Sequence, residues 1–418
     1  MTEALSYYQQ QAKSIHTKTP LMAELRQAGI SSLSDIGFPV KSDEDWKYTS
    51  VEPWLQQRYI ETDTAKTRPI LDIGLSESFS IAIIDGEIQY VPTDTPEGIV
   101  MQSLIQAVDT EASWVTEHLG KILETTHGFQ ALNSAMMCKG LALYVPDNTH
   151  IKIPVYLAHW QSENEQSVHL RHLVVLGENA SLTLIEDFSG VADKNYFTNT
   201  ITEIHLADGA HLEHYKIQRE SRQATHIGHM AVRQYANSHL SHHSLSLGGR
   251  LVRSDVRVDF RQEKGSCLLN GVYLPFSGQH MDHHVSCMHY VPSCSSEQDY
   301  KGILDGKSRA VFNGKVYVEK NAQHTHSQQQ NKNLLLSAQA EIDTKPQLEI
   351  FADDVVCAHG ATVGQLDEDA SFYLRTRGIN AEQARQLLIH AFAIENFKRM
   401  SHQGLAQWMM QLLNQQME

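Results

Sequence analysis

The chain has 418 residues, 41% hydrophobic and 20% charged, enough for two or three domains or for one long solenoid with end pieces. Its formal net charge of −15 argues against a nucleic-acid partner, which would need a basic face. The five cysteines, Cys138, Cys267, Cys287, Cys294 and Cys357, include no Cys-x-x-Cys, and an odd number does not suggest a disulfide framework.

The first ten residues have neither a basic segment nor an apolar one, so no signal peptide is expected. No apolar run approaches the roughly 18 residues that span a bilayer. A protein of a reducing cytosol with no membrane association is the expectation. Residues 2–30 read as helical: Leu5, Tyr8, Ala12 and Ile15 recur at helical spacing, and Thr19-Pro20 offers an N-cap with proline at the first helical position. Between 34 and 50, Phe38, Trp46 and Tyr48 are large aromatics in polar surroundings, which packing of an N-terminal cap explains better than an aromatic ligand box. Asp85-Gly86 between apolar runs predicts a hairpin within 78–91. Residues 101–135 read as helical again.

From Gly140 the character changes. Leu143-Tyr-Val-Pro-Asp-Asn-Thr-His-Ile-Lys-Ile lines up with Val174-Val-Leu-Gly-Glu-Asn-Ala-Ser-Leu-Thr-Leu and with Ile204-His-Leu-Ala-Asp-Gly-Ala-His-Leu-Glu-His. Each copy is a short strand, a polar turn, a small residue and a second strand, and the copies start about 30 residues apart, as edges of a solenoid coil would. A looser copy begins at Val256. Many short strands also suit a sandwich or barrel. The regular unit, with helical patterning nearly absent from 140 to 375, favours a parallel β-helix. The expected divisions are 1–139 as an N-terminal helical and mixed region, 140–378 as the β-helix core and 379–418 as a helical C-terminal domain.

Near the end of the β region, Cys357 and His359 stand two apart. On a strand both side chains face one way, presenting a thiol and an imidazole together. Both are competent ligands for a soft or borderline metal; the plainer reading is a buried small cysteine beside a surface histidine. After Gly378 two helices are expected. Asn380 with Gln383 makes a capping-box-like start, and Ala384, Leu387, Leu388, Ala391 and Phe392 form an apolar stripe. Leu405, Trp408, Met409, Leu412 and Leu413 form another. Such stripes either dock on the β body or offer a groove to a partner.

The densest polar cluster is Gln279-His-Met-Asp-His-His-Val-Ser-Cys-Met-His, followed by Cys294. Strand alternation puts His280, Asp282 and His284 on one face and His283, Cys287 and His289 on the other, so they cannot all converge on a metal. His324-Thr-His326 lacks the acidic residue of a cupin motif. Gly302-Ile-Leu-Asp-Gly306-Lys307-Ser308 is one residue short of a phosphate loop and no helix follows it, so the chain is not expected to be an NTPase itself. Neither a Gly-x-Ser-x-Gly elbow nor a Gly-x-Gly-x-x-Gly fingerprint is present.

Together, Asp43-Glu-Asp-Trp-Lys-Tyr-Thr, Phe129-Gln-Ala-Leu-Asn, Gln279-His-Met-Asp-His-His, Ser295-Ser-Glu-Gln-Asp-Tyr-Lys-Gly-Ile-Leu and Tyr373-Leu-Arg-Thr-Arg-Gly-Ile resemble the SufB/SufD family of iron–sulfur cluster assembly scaffolds. The resemblance covers essentially the whole chain. The Trp-Lys-Tyr-Thr motif and modest length look like the SufD branch; Thr376 departs from the family's frequent Ser. It implies a right-handed parallel β-helix flanked by helical regions, and a non-catalytic scaffold working with a SufB paralogue and the SufC ABC-type ATPase. It places a transient iron–sulfur cluster at the SufB interface, with His359 as an imidazole ligand and Cys357 as a second sulfur or an oxidation-sensitive neighbour. It gives the stripe of Leu387, Leu388, Ala391 and Phe392 to the ATPase, and leaves a reduced flavin in the complex and a homodimer as open possibilities. The competing expectations are a metalloenzyme built on residues 280–294 and a purely structural brace.

Overall fold

The computed structural model describes residues 2–61, 75, 77–90 and 95–417. Most of the chain from Phe79 to Gln365 winds into a parallel β-solenoid with two main walls. One wall is a ten-stranded sheet whose last strands are His326–Leu335 and Val356–Gln365; the other has nine strands and ends on Arg309–Val318 and Glu341–Ile350. From Ser167–Leu176 onward, successive strands alternate between the walls, so each of them pairs in parallel with the strand two before it.

The repeat read from the sequence is the pairing register. Leu143 lies beside Val174, and Val174 beside Ile204. The looser copy is displaced by two residues: Ile204 pairs with Val232, and Val232 with Val258 rather than Val256. An even displacement leaves the inward face unchanged, because side chains alternate with a period of two.

In seven successive coils the same corner carries a residue in the left-handed region: Asn148 (φ 56°), Asn179 (53°), Gly209 (69°), Asn237 (56°), Lys264 (63°), Ser293 (62°) and His324 (61°). Asparagine and glycine accept this conformation most readily. The polar turn in each sequence repeat is therefore a steric requirement of the corner. Asn179 Nδ2 also donates to Asn148 Oδ1 at 3.2 Å, tying neighbouring corners together.

At the amino end the solenoid is closed by antiparallel pairs. Phe79–Ile84 turns through Asp85 and Gly86, both at positive φ, into Glu87–Tyr90, while Val100–Ser103 pairs with Leu141–Val145. The predicted hairpin is present; its last residue, 91, lies outside the described residues.

The expected helix over 101–135 is instead a strand and three short helices, Leu104–Asp109, Ser113–His118 and Gly128–Met136. Ser103 and Gln106 form a reciprocal capping box that starts the first helix only after the strand. Positive φ at Glu111 and Gly120 then breaks the helical path on either side of Ser113–His118.

The first helices, Thr2–Ser14 and Pro20–Ile36, break where Thr19-Pro20 predicted. Phe38 and Trp46 are buried with Tyr8, Trp54, Tyr59, Phe129 and Phe197. Trp54 contacts Phe129 edge-on at 4.8 Å and Phe197 at 5.0 Å. Because Phe197 belongs to solenoid strand Phe197–Leu206, this aromatic cluster fixes the cap to the coil.

The switch to helix at the carboxyl end comes earlier than Gly378. Glu368–Thr376 is already helical, capped by Asp367, which accepts from the Ala370 N–H. None of its residues is buried, so no apolar periodicity announced it. Ala381–Lys398 and Gln403–Met417 come next. Their buried side chains, including Ile389, Phe397, Leu405, Trp408 and Leu413, pack on Tyr156, Ile185, Tyr215, Leu245 and Ile303 of the ten-stranded wall. Asn396 locks the join: its Nδ2 donates to Asn270 Oδ1 (2.5 Å) and the Asp299 carbonyl (3.0 Å), and its carbonyl accepts from Asn270 Nδ2 (2.9 Å).

Candidate functional site

Cys357 and His359 lie on Val356–Gln365, the final strand of its sheet. One side of that strand pairs with His326–Leu335; among the described residues, no strand covers the other. The pair extends two inward-facing columns. Cys357 continues Cys267–Ser296–Ser327, and His359 continues Leu269–Gln298–Gln329, whose members are all buried. Along a strand, positions two apart are about 6.6 Å apart, so both donors can reach one small cluster.

Their surroundings differ. Cys357 is half-buried against Val316, Val318, Ala322 and Ala352, and burial pushes its thiol pKa up. An unpaired Cys357 is thus a protonated thiol near neutral pH, whose proton a metal must displace. His359 is exposed and, among the described residues, has no hydrogen-bond or ion-pair partner. Exposed apolar side chains gather at the same end: Ile350, Phe351 (58% exposed), Val356 (63%) and Val363 (50%). A long, uncovered strand edge with apolar neighbours is a template for pairing with another chain.

The cluster at 280–294 does not converge. On strand His280–His289, Asp282 and His284 share one face, with His284 Nε2 3.0 Å from Asp282 Oδ1. On the other face His283 stacks on Tyr273, His289 on Phe260, and Cys287 meets Cys267 with sulfurs 3.8 Å apart inside the coil. Cys294 is buried and donates to the Gln262 carbonyl.

Asp282 instead joins two distant parts of the sequence. It accepts from Thr49 Oγ1 (2.6 Å) and Arg253 Nη1 (2.7 Å), while the same Arg253 nitrogen donates to the Asp45 carbonyl (2.7 Å). The Arg253 guanidinium lies 4.2 Å from the centre of the Trp46 ring. Asp45, Trp46 and Arg253 line a cleft of about 660 Å³ whose walls also include His127, His229, Asp255 and His284. Sequence reasoning assigned Trp46 to packing and did not single out His127, His229 or Asp255. The alternating Arg253, Asp255, Arg257 and Asp259 marked the charged face of this strand.

The stripe expected to meet a partner is divided. Ala384 is buried, Leu388 and Phe392 are half-buried, and Leu387 and Ala391 are exposed. The docking face uses Ile389, Ala393, Asn396 and Phe397 instead.

Residues 159–392 match the family model described as "SUF system FeS cluster assembly, SufBD core domain", and residues 1–157 match "SufBD protein N-terminal region". The chain belongs to the SufBD family. It is 31% identical over 411 residues to the iron-sulfur cluster assembly protein SufD of Escherichia coli (strain K12), covering 94% of this chain and 92% of that protein. A SufBD family protein of Synechocystis sp. is 31% identical over 94% of this chain and 90% of its own length. The SufB protein of Bacillus subtilis is more distant, 24% identical over 77% of this chain and 70% of its own. The chain is thus a SufD-like iron–sulfur cluster assembly protein of the SUF system, built on the expected parallel β-solenoid with helices at both ends. No helix among the described residues is long and apolar enough to cross a membrane.

Proposed function

We propose that this SufD-like chain is the non-catalytic scaffold subunit of a SufBCD-type complex, and that Cys357 and His359 contribute ligands to a nascent iron–sulfur cluster at the junction with a SufB paralogue. The observation that carries the reading is the placement of both side chains on a strand whose outer edge no other strand covers among the described residues. A site there is incomplete until another chain pairs with it, so separation of the chains releases what it held. Thiolate and imidazole suit iron–sulfur chemistry. The cluster is cargo, built and passed on.

The exposed Leu387 and Ala391, flanked by half-buried Leu388 and Phe392, are assigned to the SufC ATPase, together with Phe372 and Tyr373 (67% and 57% exposed) on the preceding helix. Hydrolysis of ATP would occur on that partner and move the scaffold. Reduced flavin is assigned to the complex, with no residue of this chain allotted to it, and the setting to the cytoplasm. The functional divisions at about 140 and 378 stand as a working map. The divergence of the 280–294 side chains disfavours an enzyme built on them.

His359→Ala is the decisive variant. Co-expressed with its partners, it should assemble the complex at wild-type yield but form less than about a tenth of the cluster, read by visible absorption and iron and sulfide content. Full cluster formation in an intact complex would leave the chain a structural brace.

A further inference from the structure

Away from the open edge, two groups of three metal-capable side chains converge. His159, His172 and Glu186 do so inside the coil, sealed from solvent. The Glu186 carboxylate there is already engaged by His214 Nε2 (2.8 Å) and Thr202 Oγ1 (3.0 Å). His172 Nδ1 accepts the Leu141 N–H at 3.1 Å. That group is a polar core.

The second group opens on the cleft. His229 and Asp255 sit directly opposite each other on neighbouring strands Thr225–Gln234 and Leu251–Phe260. His127 arrives from the N-cap of Gly128–Met136. Asp255 Oδ2 lies 3.1 Å from His229 Nδ1 and 3.4 Å from His127 Nε2. Both Asp255 Oδ2 and His127 Nε2 are buried, and neither makes a hydrogen bond of proper geometry. Buried polar atoms rarely remain so, because each costs its full desolvation. Ligands on a tetrahedral ion with bonds of 2.0–2.1 Å stand about 3.4 Å apart; the two carboxylate–imidazole distances of 3.1 and 3.4 Å are close to that, and all three donor atoms lie within 4.8 Å of one another. The other carboxylate oxygen, Oδ1, is held by Arg253 Nε at 2.9 Å, a second layer that fixes the ligand's orientation.

We propose that His127, His229 and Asp255 form a metal site for a first-row divalent transition cation, separate from the Cys357–His359 edge. Two imidazoles and one carboxylate suit iron(II), cobalt(II) or zinc, and the cleft supplies both entry and open coordination positions. The trio as it stands can also rest as neutral imidazoles around the carboxylate: His127 Nδ1 accepts the Phe129 N–H at 3.3 Å, which puts its proton on Nε2. Binding moves that proton to Nδ1 and releases the Phe129 amide.

The test uses the purified full chain, stripped with chelator and titrated with Co²⁺ at pH 7.5. The wild type should take one equivalent with visible d–d absorption, displaced by Zn²⁺, and Zn²⁺ should raise its Tm. His229→Gln and Asp255→Asn should lose the band and the Tm shift, whereas His359→Ala should keep both. If Asp255→Asn fails to fold because Arg253 loses one of its two carboxylate partners, His229→Gln decides. A wild type without the band, a folded His229→Gln that retains it, or loss confined to His359→Ala would overturn the site.

Discussion

Burial, more than sequence neighbourhood, sets the chemistry of single residues here. His169, His243, His283 and His289 are all buried, and desolvation lowers their pKa values to about 3, about 3, about 4 and about 3. Each is neutral in the folded chain and regains a pKa of about 6.5 on unfolding, so the unfolded state binds more protons between those values. Stability should therefore be complete above about pH 6.5 and fall as the pH drops towards about 3, by up to about 2 kcal/mol for each such group at pH 5. Thermal melts at pH 7.5 and pH 5.0 at constant ionic strength should show a marked loss of Tm; equal values would sink this account. The histidine count showed in composition, but which imidazoles are sealed off depends on which wall each strand joins.

Among the elements, the last strand and the penultimate helix have opposite characters. Among the described residues Val356–Gln365 pairs on one side only, and Val363 is half exposed, so Val363→Glu should leave the isolated chain's melt unchanged within about 0.5 kcal/mol. The same change should abolish capture of a SufB paralogue in co-purification, because a desolvated charge would sit in the paired edge. Undiminished capture would place the junction elsewhere. Asn396 is the reverse case, fully enclosed between helix and wall. Asn396→Ala orphans Asn270 Oδ1 and removes the donor to the Asp299 carbonyl, and should cost about 2–4 kcal/mol, visible as a lower denaturation midpoint. A loss below about 0.5 kcal/mol would show that this junction contributes little.

At the scale of the molecule, the coil has two unlike ends and a helical flank that is integral to it. Deleting the last helices would bare Tyr156, Ile185, Tyr215 and Leu245, so a truncation confounds folding with partner loss. Point changes on the outer face avoid this. Leu387→Asp with Ala391→Asp should keep the fold and the SufB pairing but lower ATPase retention at least about tenfold, measured by the ratio of co-purified subunits. Retention equal to wild type would move the ATPase surface off this helix.

The repeat spacing, the polar corners and the terminal apolar stripes were legible because they are local demands: left-handed corners need particular residues, and strands alternate every second position. Cys357 and His359 were legible as a shared face for the same reason. What the sequence could not carry was that, among the described residues, no strand covers them, since an edge is defined by what does not pair. Nor could it carry the cleft, where His127, His229 and Asp255 meet only because a helix cap lies across two neighbouring strands. Periodicity is written within each segment, whereas closure and convergence depend on contacts between segments far apart in the chain.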